Sequence, residues 1–142
     1  MATKNVYSGS PWEALAAYCR AKRVGDAIFV SGTVAVDAKG LAFAPGDVYL
    51  QTRYILDKIE RILWELGSSL RDVVRTRTYM IDIGKFEEFA RAHRDVFAGI
   101  DPVATCVEVV RLLAPEYVVE IEVDAIVGVP SAKATSTPRD MK

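Results

Sequence analysis

The sequence has no marked excess of charge of either sign, since 18 lysines and arginines stand against 19 aspartates and glutamates for a formal net charge of −1. Proteins that hold nucleic acid through its phosphates carry a clear positive excess, so we expect no nucleic-acid partner. The only two cysteines, Cys19 and Cys106, lie too far apart for a metal-binding spacing. We therefore predict free thiols in a reducing compartment, no metal site and no cofactor.

The sequence also lacks an apolar run long enough to cross a membrane. Residues Met1 to Ser10 contain no basic region followed by an apolar stretch, so we expect no secretory signal and predict a cytoplasmic protein. What is present is ordinary for a globular protein, with 51% of the 142 residues hydrophobic and 26% charged. A chain of this length can form one domain with a core of its own.

Hydrophobic patterns predict secondary structure in the order β-β-α-β-α-β-β. Two short strands from Tyr18 to Ser31 meet at Gly25-Asp26, where a leading glycine suits a type II′ hairpin. The other elements are a helix over Asp47–Leu66, a strand over Asp72–Asp82, a helix over Lys85–Phe97, and strands over Val103–Arg111 and Val118–Val127. We predict a domain of residues 1–128 with an irregular start over residues 1–12, and a flexible tail over residues 129–142.

The pattern of the last strand predicts that one face of the sheet is not covered by helices and packs against another subunit. Two helices cannot cover both faces, so both should pack on one face of a mixed sheet, against the apolar row from Val119 to Val127. The opposite row holds Glu120, Glu122 and Asp124. We expect Cys106, Val110 and Phe29 to share this acidic face, a mixture typical of a subunit interface with a pocket at its edge.

Four stretches, taken in order, resemble the RidA (YjgF) family. They are Val24–Gly32, Leu66–Thr76, Cys106–Val109 and Val119–Glu122, and the resemblance spans residues 17–128. It implies a single α+β domain with a chorismate-mutase-like fold and a homotrimer with three clefts between subunits. For the best-known members it also implies hydrolysis of reactive imines and enamines to 2-oxoacids and ammonia.

The resemblance also implies a set of site residues. Tyr18, Ser31 and Gly32 match family positions that bind a small-molecule substrate, and Glu120 matches the glutamate that positions a water. Ala104, two residues before Cys106, stands where active members have an arginine that binds the substrate carboxylate. Since an alanine methyl cannot replace a bidentate guanidinium, we expect deamination of small 2-iminoacids to be impaired here. The chain resembles a subgroup of the family that lacks this arginine.

Several residues have two interpretations. Arg20 shares a strand face with Tyr18 and either supplies the missing positive charge in the substrate site or is a surface charge paired with an acid. Glu120 is either a base that activates water or a partner of Arg75 or Arg77 across the sheet. For Cys106 we favour a small buried filler, and for His93 a core histidine with one hydrogen bond.

Two functions of different kinds fit these residues. One is hydrolysis of an imine, enamine or related C–N bond by Glu120 and a water, in a cleft between subunits. The other is a non-catalytic module that binds a small metabolite or a protein partner. A ribonuclease, an activity attached to some relatives, is disfavoured by the neutral charge and by the presence of a single histidine.

Overall fold

A computed structural model describes residues 1–128 and 130, so the predicted tail, residues 129–142, lies outside the described residues except for Pro130. The strands are β1 (Thr3–Val6), β2 (Ala21–Val24), β3 (Ala27–Thr33), β4 (Val73–Met80), β5 (Val103–Glu108) and β6 (Val119–Ile126). The α-helices are α1 (Pro11–Ala16), α2 (Val48–Glu65) and α3 (Phe86–Phe97), with short 3-10 helices at Leu70–Asp72 and Ile83–Lys85. The predicted α+β class is confirmed.

The six strands form one mixed sheet in the order β1-β2-β3-β6-β4-β5. All neighbours are antiparallel except β4 and β5, which run parallel because α3 connects them. The hairpin turns where predicted. Gly25 has a φ of +61° while Asp26 has no positive φ, as a type II′ turn requires. The last strand, β6, therefore lies in the middle of the sheet.

Both long helices begin and end close to the predicted residues. The Asp47 carboxylate accepts the Leu50 N–H at 2.9 Å and caps α2, and Gly67 follows the helix with a φ of +75°. Beneath the helices, Val119, Ile121 and Val123 of β6 are fully buried. The α2 side chains that meet this layer share one face and are also fully buried: Ile55, Leu56, Ile59 and Leu63.

The N-terminal prediction was wrong, because residues 1–12 are not irregular. Thr3–Val6 pairs antiparallel with β2 as an edge strand, and Pro11 starts a short helix capped by Ser10. In this helix Glu13 is buried, and its carboxylate accepts the Ser8 backbone N–H at 3.0 Å. A four-residue edge strand of mostly exposed polar residues has no alternation to detect, since only Val6 faces the core.

The placement of Cys106 on the acidic face was also wrong. In the parallel pair, Thr76 lies opposite Ala104 and Thr78 opposite Cys106, which puts both β5 residues in the row on the helix side. Val103, Thr105 and Val107 take the acidic face instead. A shift of one residue in register exchanges the two faces of a strand, and the strand's own sequence does not fix that register.

Phe29 does lie on the acidic face, as predicted. It pairs with Asp124 and is 51% exposed. Val103 and Val107, at 60% and 43%, are exposed on the same face. Val110 lies beyond the end of β5 and belongs to neither row. The acidic face of one chain thus exposes several large apolar side chains among charged ones.

We expect Ile121→Ala to lower the free energy of unfolding by about 2–5 kcal/mol, since it opens a cavity at a fully buried site in the central strand. Denaturant unfolding followed by circular dichroism measures this loss. Ile83→Ala is the matched control, because Ile83 is 41% exposed and should cost much less. Equal losses at the two sites would contradict the core described above.

Candidate functional site

Ser31 and Gly32 lie in a β-bulge near the end of β3. From Val30, opposite Val123, to Thr33, opposite Ile121, β3 contains one residue more than β6. Such a bulge bends the strand and redirects its side chains, and bulges are common beside active sites. The Ser31 hydroxyl donates a hydrogen bond to the Cys19 carbonyl at 2.9 Å, so it supports the bulge from within the chain.

Gly32 leaves the space that the Glu120 carboxylate occupies. A Cβ atom built on Gly32 would overlap Oε2 of Glu120. The backbone of Gly32 does not have a positive φ, so the requirement for glycine comes from this close approach and not from the chain's conformation. The bulge therefore places the Glu120 carboxylate in contact with the backbone of Gly32.

Arg20 joins the same group of residues. Its Nη2 donates a hydrogen bond to the Gly32 carbonyl at 2.5 Å, and its guanidinium carbon lies 5.9 Å from the centroid of the Tyr18 ring. Its Nε is buried without a hydrogen-bond partner in the described residues. Tyr18, Arg20, Ser31, Gly32 and Glu120 thus lie close together, and their role in substrate binding stays a prediction.

A cavity of about 330 Å³ opens at Glu120, and we call it the Glu120 cavity. Besides Gly32 and Glu120, its lining consists of residues that sequence reasoning missed: Tyr79, Val109, Arg111, Leu112 and Glu122. Alternation along β4 places Tyr79 on the acidic face, but only the β4–β6 register sets it opposite Glu120. The other missed residues lie mainly in the segment after β5, which carries no pattern.

Burial raises the pKa of Glu120, and the neighbouring Glu122 raises it further, while the positive charge of Arg20 opposes both. Within residues 1–128 Glu120 has no salt bridge. The alternative prediction that Glu120 pairs with Arg75 or Arg77 was wrong, because Arg77 bonds Asp124 at 3.3 Å. A partly buried carboxylate with a raised pKa and no ion pair accepts a proton more readily than a carboxylate in water, which is the property required of a general base.

The adjacent acid is held differently. The Tyr79 hydroxyl donates a hydrogen bond to Oε1 of Glu122 at 2.5 Å, and this bond raises the pKa of Tyr79. Since Glu122 is engaged with Tyr79, Glu120 is the carboxylate in this cavity that remains available to a ligand or water.

Ala104 and Cys106 line a different cavity. It has a volume of about 380 Å³ and lies between α3 and β5, on the helix side of the sheet, and we call it the α3 cavity. A single chain therefore divides the predicted site residues between two cavities on opposite faces of the sheet, with Glu120 in one and Ala104 and Cys106 in the other. The sequence analysis did not predict this separation.

Two titratable residues of the α3 cavity, His93 and Cys106, are partly buried, and not fully inside the core as expected. His93 Nε2 lies 3.0 Å from Thr76 Oγ1, and burial lowers the pKa of His93, so it is a neutral histidine with one hydrogen bond. Burial raises the pKa of the Cys106 thiol, which keeps it protonated and unreactive.

Lys58 is a further residue that sequence reasoning missed. Its ammonium donates hydrogen bonds to the Val34 and Val36 carbonyls, each at 3.0 Å, and so ties down the chain just after the bulge. Burial, assisted by repulsion from Arg20, lowers the pKa of Lys58 to about 8. The bulge is thus held by Arg20 on one side and by Lys58 beyond its end.

No metal site or membrane span emerges from the part of the chain that the structure describes. Residues 1–128 and 130 contain no group of three His, Cys, Asp or Glu side chains that could hold a metal ion. Within the same residues no helix is both long and apolar enough to cross a bilayer.

Comparison with known proteins identifies relatives along nearly the whole domain. Residues 9–127 match the family described as Endoribonuclease L-PSP. Rv2704, a Mycobacterium tuberculosis member of the YjgF/YER057c/UK114 family with a crystal structure, has 40% sequence identity to this chain. The match covers 89% of this chain and 100% of Rv2704, and the two structures superpose with a TM-score of 0.81.

Two sequence relatives bear RutC names. A RutC family protein of Pyrococcus abyssi is 32% identical over 126 residues, which is 89% of this chain and 97% of the relative. The 3-aminoacrylate deaminase RutC of Acinetobacter baylyi is 30% identical over 107 residues, which is 75% of this chain and 84% of the relative.

We expect Glu120→Gln to stabilise the protein at pH 7. A carboxyl whose pKa is raised by folding lowers the protein's free energy of unfolding as the pH rises from the unfolded pKa to the folded pKa of that group. At neutral pH the wild type is therefore less stable than a variant with an uncharged glutamine at this position. The variant's advantage should shrink as the pH falls below the ordinary glutamate pKa. Denaturant unfolding at several pH values measures it, and an advantage that is constant with pH would contradict the raised pKa.

Proposed function

The chain belongs to the Endoribonuclease L-PSP (YjgF/RidA) family, and on that premise we propose that it is a cytoplasmic homotrimer that hydrolyses an imine, enamine or related labile C–N bond in clefts between its subunits. The observation that carries this proposal is the Glu120 carboxylate, half-buried against Gly32 and without an ion pair in the described residues. One relative is named a 3-aminoacrylate deaminase, which is an enzyme of this reaction class.

Glu120 is the base in the proposed reaction. Its carboxylate takes a proton from a water as the water oxygen attacks the C=N carbon, and the protonated carboxyl gives that proton to the nitrogen, which yields the tetrahedral carbinolamine. Glu120 then takes the carbinolamine's hydroxyl proton and passes it to the nitrogen as the C–N bond breaks and the C=O bond forms. The imine and one water thus become a carbonyl compound and ammonia. A raised pKa favours both steps, because the group must accept and then release a proton near neutral pH.

The other residues hold the substrate and the base in place. The guanidinium of Arg20 bonds the Gly32 carbonyl and its positive charge acts on Glu120, so it could also attract an anionic substrate. Tyr18 flanks it, and Ser31 supports the bulge. We assign Tyr18, Arg20, Ser31 and Gly32 to substrate binding beside Glu120.

The trimer brings the two cavities together in this proposal. Glu120 of one subunit and the region of Ala104 and Cys106 lie on opposite faces of one sheet, so one chain cannot present both to the same small molecule. A neighbouring subunit can. The exposed apolar side chains of the acidic face, Phe29, Val103 and Val107, supply surface that such an assembly would cover.

The substrate should not be anchored by its carboxylate in the way of the family's deaminases. Ala104 offers only a methyl group, and the loss of a charge-assisted bond in a partly buried site costs roughly 1.5–3 kcal/mol of binding, or about ten- to a hundredfold. We do not propose a ribonuclease, because the net charge is −1 and the single histidine is held by Thr76 in the core.

We expect Glu120→Gln to reduce imine hydrolysis at least about 100-fold, because it removes the general base. Imines made in situ by an amino-acid oxidase provide the substrates, and the rate of oxo-product formation above the uncatalysed rate is the measurement. Wild-type activity should fall at low pH with a midpoint above the ordinary glutamate pKa. A second variant, Gly32→Ala, should also lose activity, because its methyl group displaces the Glu120 carboxylate. Its free energy of unfolding should change by less than about 1 kcal/mol, since the flexible Glu120 side chain can move aside.

The Ala104→Arg variant separates an enzyme from a binding module. If the clefts are catalytic, the added guanidinium should raise the rate on small 2-iminoacids about tenfold or more. If wild type and Ala104→Arg both leave every imine untouched, the chain is the non-catalytic binding module instead. A wild-type rate on small 2-iminoacids that Ala104→Arg does not improve would show that the arginine is dispensable.

We expect Phe29→Lys to break the trimer, because it places a charge in the proposed interface. Sedimentation velocity should show trimers for wild type and monomers for the variant. Trp64→Lys is the matched control, since Trp64 is an exposed aromatic residue on α2, away from the sheet. A wild-type protein that sediments as a monomer would remove the proposed cleft.

A further inference from the structure

The α3 cavity has a lining that differs in kind from that of the Glu120 cavity. Three phenylalanines and one histidine of α3 form its wall, and Ala104 and Cys106 of β5 lie opposite. The rings follow one another along the helix: Phe86 and Phe89 are 5.8 Å apart between centroids, Phe89 and His93 are 5.3 Å apart, and His93 and Phe97 are 4.7 Å apart. All three pairs are tilted, and Phe86 is 44% exposed whereas Phe89 and Phe97 are 5% and 2% exposed, so Phe86 offers most of the open aromatic surface.

The lining of this cavity carries no net charge. His93 is neutral because burial lowers its pKa, and its Nε2 is engaged with Thr76. The Cys106 thiol is protonated because burial raises its pKa. The charged residues of the lining are Arg94 and Asp101, one of each sign. A lining of this kind gives no net attraction to an anion and is complementary to an uncharged, apolar group.

Position 104 decides how much of the cavity is open. Ala104 lines the cavity and lies in the row on the helix side of the sheet, so a longer side chain at this position would take up part of the space between β5 and α3. The volume of about 380 Å³ falls in the range of roughly 300–1,000 Å³ typical of ligand sites. A closed apolar cavity of only about 150 Å³ is enough to hold benzene, so one ring fits here with room for its attachment.

We propose that the α3 cavity is the subsite for the substrate's side group and that this group is an apolar ring. The substrates are then imines or enamines with an aromatic or similarly large apolar substituent, held by burial of that substituent, and not small 2-iminoacids held by their carboxylate. The inference rests on the proposed function, because the cavity meets Glu120 only across a subunit boundary.

Direct binding tests the cavity without requiring catalysis. Phenylpyruvate and pyruvate, the hydrolysis products of a ring-bearing and a methyl-bearing 2-iminoacid, are titrated into wild type by calorimetry. Burial of the ring should make phenylpyruvate bind about tenfold or more tightly than pyruvate. The same pair of parent imines is then compared as substrates, with the ring-bearing imine expected to show the higher kcat/KM by a similar factor.

Three variants localise the effect. Ala104→Leu and Ala90→Leu fill the cavity from the strand and from the helix, and each should remove the preference for the ring, so that one remains informative if the other fails to fold. Ala38→Leu makes the same chemical change in an exposed turn and should leave the preference unchanged.

The outcomes for the subsite and for the reaction are distinct. A ring preference in binding without any imine hydrolysis would retain the subsite and remove the proposed reaction. Hydrolysis of both imines at equal rates, with equal binding of both products, would retain the reaction and overturn the subsite. A ring preference that survives both cavity-filling variants would also overturn it, since the ring would then bind elsewhere.

Discussion

The burial of one row of β6 is the constraint on which the rest of the structure depends. Val119, Ile121 and Val123 lie on the face of the sheet that packs against α2 and are completely excluded from water. Burial of each such side chain contributes roughly 1.5–3 kcal/mol to the free energy of unfolding. Because side chains alternate along a strand, this row forces Glu120, Glu122 and Asp124 onto the other face. The central position of β6 then places the acids in the middle of that face.

The bulge in β3 positions the acidic residue Glu120 in a candidate site instead of on an open surface. One extra residue in β3 places Ser31 and Gly32 beside the middle of β6, and the absence of a side chain at Gly32 lets the Glu120 carboxylate approach the backbone. Arg20 and Lys58 hold the same bulge through three hydrogen bonds to main-chain carbonyls. Burial raises the pKa of Glu120 and lowers that of Lys58, as expected for charged groups drawn partly out of water.

Under the proposed function, the division of the candidate site between two faces would give the assembly a role. The Glu120 cavity has charged and polar groups, whereas the α3 cavity is largely aromatic and its two charged residues are of opposite sign. Under the proposed function, one supplies the base and the other receives the rest of the molecule. Under the same proposals, Ala104 in place of the arginine that the family resemblance implies would change what the α3 cavity attracts, from a carboxylate to an apolar group, while Glu120 is retained.

Local sequence was enough to determine the long elements and the two rows of β6. Helical spacing located α2 and α3 to within a residue or two, and strict alternation separated Val119 and Ile121 from Glu120, because these periods are properties of the backbone itself. The grouping of Tyr18, Gly32 and Glu120 came from the family resemblance and not from a local pattern, and the same resemblance did not show that Ala104 and Cys106 lie in a different cavity of one chain. What only the tertiary structure decided was register and burial. The parallel pairing of β4 with β5 turned Ala104 and Cys106 away from Glu120, β1 paired without any hydrophobic pattern, and Lys58 acquired its lowered pKa from surroundings distant in sequence. Contacts between distant segments determine these features, and no short stretch of sequence contains them.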